Sequence, residues 1–173
     1  DNGWLKADHN WNAVCLKGAV AAAQAALPDR HDRALFVAAG EHYIRSYLAG
    51  FPADGYSVEG PSYWNYGFSH FVELREVLMQ ASGGRIDLFA QPKVRAIALY
   101  GARIEMAPGN IAAFSDASPR ERIDAFTLAY SNQTLGLGLP HTLDALPISA
   151  SRPPNSAPLA LAAMILFAHP QAR

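Results

Sequence analysis

The sequence predicts an all-α fold. Apolar residues recur at three- and four-residue spacing in successive windows, most of these windows close on a glycine or a proline, and no segment alternates polar and apolar residues as a strand would. The first helix is expected over 10–27, with Asn10 or Asp8 as its N-cap and Val14, Leu16, Val20, Ala23 and Leu27 as its apolar stripe. Pro28 and Asp29 stop it. A second helix is expected over 32–49, where Leu35, Phe36, Tyr43, Ile44, Tyr47 and Leu48 share the period, ended by Gly50 and Pro52. A third begins at Pro61, where a missing N–H costs nothing, and runs to the Ser82-Gly83-Gly84 stop. A short helical turn over 86–89 precedes a fourth helix at 93–105. The segment 107–110 is a turn and 111–116 is irregular. A fifth helix is expected over 120–130 with Ser118 as N-cap. The stretch 132–158 reads as loop-rich, and 159–168 is apolar almost all round. Helices in this succession stack as antiparallel hairpins in a bundle, a solenoid or a toroid; no fixed-period repeat is present.

Composition narrows the function. With 173 residues and half of them hydrophobic, the chain can bury one sizeable core. A formal net charge of -1 argues against a nucleic-acid partner, which asks for a basic stripe. No apolar run reaches membrane-spanning length, because Gln24, Pro28 and charged residues interrupt the alanine-rich stretches. The single cysteine, Cys15, excludes an internal disulfide and a cysteine-based zinc site, and its apolar surroundings suggest an inert thiol. His31, His141 and His169 have no partners at metal-ligand spacing, and neither a metal nor a cofactor is expected.

The densest chemistry lies at 54–71, DGYSVEGPSYWNYGFSHF. Asp54-Gly55 marks a turn, and the helix opening at Pro61 places Tyr63, Tyr66 and His70 on one face. Phe68, Phe71 and Leu74 fall on another stripe, suited to the core. A phenol, an imidazole and the Glu59 carboxylate from the preceding loop would together serve proton transfer and sugar binding. The competing reading is an aromatic-rich packing turn.

Three segments in order resemble the heparinase II/III-like polysaccharide lyases. HNWNAVCLKGAVAAAQAAL at 9–27 is similar to the family's NNWN-x-VC-x-x-G helix start. DGYSVEGPSYWNYG at 54–67 is similar to its DG-x-x-x-EG-x-x-Y-W-x-Y-G segment. IAAFSDASP at 111–119 is similar to a Phe-Ser/Gly-Asp turn further along, and the match spans about two-thirds of the chain. The resemblance implies helical hairpins forming part of an incomplete (α/α) toroid. Residues 1–173 would then be a single helical domain, a piece of a longer chain with a C-terminal β-sandwich, as the start at Asp1 without methionine or signal peptide also suggests. It further implies β-elimination at the uronic acid of an acidic polysaccharide, in a periplasmic or secreted setting.

On that reading Asn10 donates to the uronate carboxylate and stabilises the enolate-like charge that develops when the C5 proton leaves. Its place at a helix start also favours an anion. Tyr66 corresponds to the family's catalytic tyrosine. A phenol of ordinary pKa about 10 serves as an acid, and as a base only if its surroundings lower that value. The histidine partner is either His9, beside the amide, or His70, one turn beyond Tyr66, or one outside these residues. Glu59 would bind a sugar hydroxyl, orient Tyr66 or act as a helix N-terminal acid. Tyr63, Trp11 and Trp64 would meet the sugar, with core packing the alternative for each tryptophan. Asn12 is expected to brace the loop and Asp116 to hold its turn. Arg45 would attract the polyanion from an otherwise solvated face; Lys6, Arg30, Arg33 and Arg75 are further candidates. Two rival readings remain: a toroid glycoside hydrolase with Asp54 and Glu59 as paired acids, and a non-catalytic helical module that binds glycan or protein or is an inactive fragment.

Overall fold

A computed structural model describes residues 2–141 and is all-α apart from one short hairpin. The helices are α1 (Asn10–Ala26), α2 (Arg30–Ala49), α3 (Pro61–Ser82), α4 (Val94–Arg103) and α5 (Ala125–Leu135). Two 3-10 turns, Gly3–Lys6 and Leu88–Ala90, and the antiparallel pair β1 (Glu105–Ala107) and β2 (Asn110–Ile111) complete the order. The expected apolar element at 159–168, and most of the loop before it, lie outside the described residues.

α3 is the central element. It packs on α1 along much of its length, on α2 beside that and on α5 near its far end, while α4 lies against α5. Its inward stripe, Trp64, Phe68, Phe71, Val72, Leu74 and Leu78, is completely enclosed. Rings of Phe68, Phe71 and Phe89 stack in series at 5.6 and 6.2 Å between centroids, which gives the core a rigid aromatic spine. Pro61 stands in the first turn of α3, and Gly83 ends it in the left-handed conformation at φ 62°. Both were legible from the residue types alone.

Three boundaries differ from expectation. α2 starts at Arg30 because the Asp29 carboxylate accepts from the amides of His31 and Asp32. α5 begins at Ala125 rather than 120, capped by Asp124 through the Thr127 amide, while Ser118 closes only a single turn. The fourth helix stops at Arg103, and the chain then enters β1, the first strand of a hairpin closed through Pro108-Gly109 that the sequence did not signal.

Candidate functional site

The site begins where α1 meets α3. A side chain at Gly67 would come within 2.9 Å of Asn10 Cβ, 3.2 Å of Asn10 Cα and 3.0 Å of Tyr47 Oη. Glycine is therefore what lets the first residue of α1 lie directly on α3, one residue beyond Tyr66. Asn10 is not the N-cap; His9 holds that position with no side-chain capping bond. The cap comes instead from the loop before α3. Asn10 donates its backbone N–H to Glu59 Oε2 at 2.8 Å and its side-chain Nδ2 to Glu59 Oε1 at 2.7 Å. A carboxylate at a helix N-terminus is electrostatically favourable, so Glu59 is indeed a helix N-terminal acid, but for α1 rather than α3. Asn10 is almost fully buried and its amide is held in one orientation by this bidentate contact.

Glu59 itself is positioned by the turn behind it. Gly60 adopts φ 90°, and a side chain there would press on the Phe114 carbonyl at 2.9 Å. The loop at 114–116 thus abuts the start of α3, where Tyr63 donates its hydroxyl to Asp116 at 2.9 Å. The hydrogen bond to Asp116, and then its charge, raise the Tyr63 pKa, so that phenol stays protonated at neutral pH. Asp116 holds this turn, and Asn12 braces the other side by donating to the carbonyls of Trp4 and Leu5.

Tyr66 and His70 are in contact one turn apart. Tyr66 is 47 % exposed and its ring meets the His70 ring edge-on, with centroids 4.8 Å apart. His70 Nδ1 lies 2.7 Å from the Tyr66 carbonyl oxygen. A carbonyl has no hydrogen to give, so Nδ1 carries the proton and Nε2 presents the lone pair. Burial lowers the His70 pKa, with the Lys17 cation adding to that and the Tyr66 carbonyl and the Glu73 carboxylate opposing it. The imidazole is therefore neutral at pH 7 and its Nε2 is available as a base. Behind it Lys17 pairs with the buried Glu73 at 2.7 Å.

The remaining expected residues separate. His9 and Trp11 flank Asn10 and, with Trp4, line a cleft of about 290 Å³; Trp11 is 61 % exposed. Trp64 is in the core, its Nε1 donating to the Ile97 carbonyl at 2.9 Å, and it offers no face to a sugar ring. Packing is the role its burial supports. Arg45 is exposed on α2 with no partner among the described residues, and no contact brings it to Asn10. Of the other cations considered, Arg75 is buried in an ion-pair network and Arg33 is spent on the carbonyls of Leu27 and Pro28. Asp54 and Glu59 do not face one another as an acid pair: Glu59 is engaged with Asn10, whereas Asp54 caps the Tyr56 amide and lines a separate cleft. Cys15 is free and half-buried.

Two participants escaped the sequence reading. Gly67 enters the sequence reading only as the last residue of the DGYSVEGPSYWNYG motif, and the crossing gives it a physical role. Tyr47 was assigned to the apolar stripe, yet its hydroxyl stands at that crossing with no hydrogen-bond partner among the described residues. Burial first, and the nearby Glu59 charge second, raise its pKa well above the ordinary phenol value. Among the described residues no cluster of three or more His, Cys, Asp or Glu is arranged to hold a metal ion, and no helix is long and apolar enough to cross a membrane. Compared with protein-family models and with curated proteins, the chain matches none.

Proposed function

We propose that the chain belongs to a polysaccharide lyase that cleaves uronic-acid-containing glycans by β-elimination, its helices forming part of an (α/α) toroid. The observation that supports this reading is the crossing at Gly67, where Asn10, clamped by Glu59, lies on α3 one residue from Tyr66, itself in ring contact with His70. The two segments whose motifs resemble the lyases are 49 residues apart at Asn10 and Glu59, and they are joined there by two hydrogen bonds.

In this reading the second hydrogen of Asn10 Nδ2, the first being fixed on Glu59, donates to the uronate carboxylate and stabilises charge as the C5 proton leaves. His70 Nε2, neutral and basic, takes that proton. Tyr66, exposed beside it, gives its hydroxyl proton to the departing O4. The C4–O4 bond breaks as the C4=C5 double bond forms, so the products are an unsaturated uronate and a free hydroxyl. His9 and Trp11, beside the amide, line the path of the chain. Bidentate use of Glu59 and the separate place of Asp54 favour elimination over hydrolysis, which needs two carboxyl groups across one glycosidic bond.

The test is absorbance of the unsaturated product when the chain, or a longer polypeptide that carries it, is incubated with alginate, hyaluronan and heparan sulfate. Tyr66→Phe should reduce the rate by about 10² or more. Elimination that survives this change undamaged refutes the role of Tyr66, and a hydrolytic product without a double bond refutes the reaction.

A further inference from the structure

A second cleft, of about 330 Å³, lies between the 54–58 loop and the corner where α4 gives way to β1. None of the residues assigned to the elimination site lines it. Its wall is Tyr56, whose ring stacks on Phe114 at 5.7 Å with a 5° interplanar angle and meets Tyr100 edge-on at 5.9 Å. Held on two sides, the ring is still 42 % exposed, and Met106 beside it is 72 % exposed. A ring held in place in this way binds a flat partner with little loss of freedom.

The polar groups around this face are opposite in charge and not spent on each other. Asp54 uses Oδ1 to accept from the Tyr56 amide at 3.1 Å. Arg103 makes one long bond, Nη1 to the Asp54 carbonyl at 3.5 Å, and forms no ion pair among the described residues. Four of its five N–H donors are therefore open. A flat apolar face, a carboxylate to accept from hydroxyls and a guanidinium to meet a carboxylate together match one chemistry, a pyranose ring that bears an acid.

We infer that this cleft is a binding subsite for a uronate residue of the polysaccharide, stacked on Tyr56 with its carboxylate toward Arg103. The inference rests on the elimination reading for its substrate class. Its place next to the reacting site follows from the chain: Tyr56 and Glu59 are three residues apart, so their Cα atoms are separated by no more than about 11 Å. One loop thus serves both, holding Asn10 with Glu59 and presenting Tyr56 to the neighbouring sugar. Phe114, which stacks under Tyr56, belongs to the same turn that abuts Gly60.

The experiment is calorimetric titration of the 173-residue chain with tetrasaccharides of alginate, hyaluronan and heparan sulfate, with cellotetraose as the neutral control. At least one acidic tetrasaccharide should bind more tightly than cellotetraose. Tyr56→Ala should weaken that binding about tenfold, and Arg103→Gln about fivefold. Arg103 is exposed, so its change should leave the melting temperature as it was, whereas Tyr56→Ala gives up two ring contacts and its binding is compared at a temperature where circular dichroism shows it folded. The Arg103 change should leave affinity for cellotetraose as it was. Binding of none of these sugars, or binding equal in Tyr56→Ala and the parent, overturns the subsite. The two proposals fail separately. Tyr56-dependent binding with no double bond formed would retain the cleft and reject the reaction, whereas elimination with sugar affinity indifferent to Tyr56 would reject the cleft alone.

Discussion

α3 carries two polar clusters, one at each end, and they are built on opposite principles. Toward its C-terminal half, Arg75 donates to Asp87 at 2.6 and 2.8 Å, to Glu76 at 2.6 Å and to the Tyr130 hydroxyl at 2.6 Å, and lies 4.4 Å from the Phe89 ring centre. Tyr130 in turn donates to Glu76. Burial alone would discourage the Arg75 charge, but Asp87, Tyr130 and Glu76 outweigh it and raise its pKa. Burial also raises the Asp87 carboxyl, and the bond from Arg75 overcomes that to hold it below the usual range. Nearly every polar atom there is spent. Toward the N-terminal half, Tyr66 and His70 keep an exposed hydroxyl and a free ring nitrogen. Charge density does not distinguish a structural cluster from a reactive one. What separates these two is hydrogen-bonding capacity left open toward solvent, which is what the proposed chemistry would need.

That contrast breaks most visibly at Arg75. Arg75→Met leaves the buried Glu76 without its cation, and denaturant unfolding should show a loss of about 3–5 kcal/mol. Elimination per folded molecule should not change; a variant that folds normally but loses activity would make the closed cluster part of the chemistry. Gly67→Ala comes next. Its new methyl overlaps Asn10 and Tyr47, and the expected loss is about 1–3 kcal/mol, with the elimination rate falling as Asn10 is displaced. An alanine tolerated without cost would mean that α1 and α3 have room to spare where they cross. Glu59→Gln removes the carboxylate charge at the N-terminus of α1 and should cost about 0.5–1 kcal/mol in melting experiments. Tyr66→Phe should alter stability by less than about 0.5 kcal/mol, because an exposed hydroxyl without a partner holds nothing together.

The smallest effect is the titration of His70. Its folded pKa lies below the unfolded value of about 6.5, so on acidification the unfolded chain takes up a proton that the folded chain resists. Stability is therefore complete above pH 6.5 and declines below it, down through the folded pKa. An NMR titration of the ring should report a midpoint under 6.5, and the acid limb of the elimination rate should track that midpoint. A midpoint above 6.5 would dispose of the neutral base.

Proline and glycine stops were legible in the sequence; the aspartate caps at Asp29 and Asp124 were missed although they act within one turn, and long-range pairings left no local mark. Pro61 and Gly83 bounded α3 because proline and left-handed glycine act within one turn. The start of α5 is set by the Asp124 cap on the Thr127 amide, and Asn65, on another helix, adds a long-range brace by accepting from the Asp124 amide at 2.8 Å. The hairpin at Glu105–Ala107 and Asn110–Ile111 is too short to show a period. Of the candidate site, the Tyr66–His70 pair came out of four-residue spacing alone. The grip of Glu59 on Asn10 had no local signature, and neither did the meeting of Arg75 with Asp87 and Tyr130, which are 12 and 55 residues away.

The Glu59–Asn10 clasp ties together points 49 residues apart, and closing a loop of that length is an entropic cost that only the finished packing of α1 on α3 repays. On the elimination reading, the proposed site consequently cannot assemble in a half-organised chain. An intermediate that has formed its individual helices but not docked them would have Tyr66 and His70 side by side and Asn10 not yet on α3. Catalytic competence, on this architecture, would be a late readout of folding, and its recovery during refolding should trail the return of helical signal.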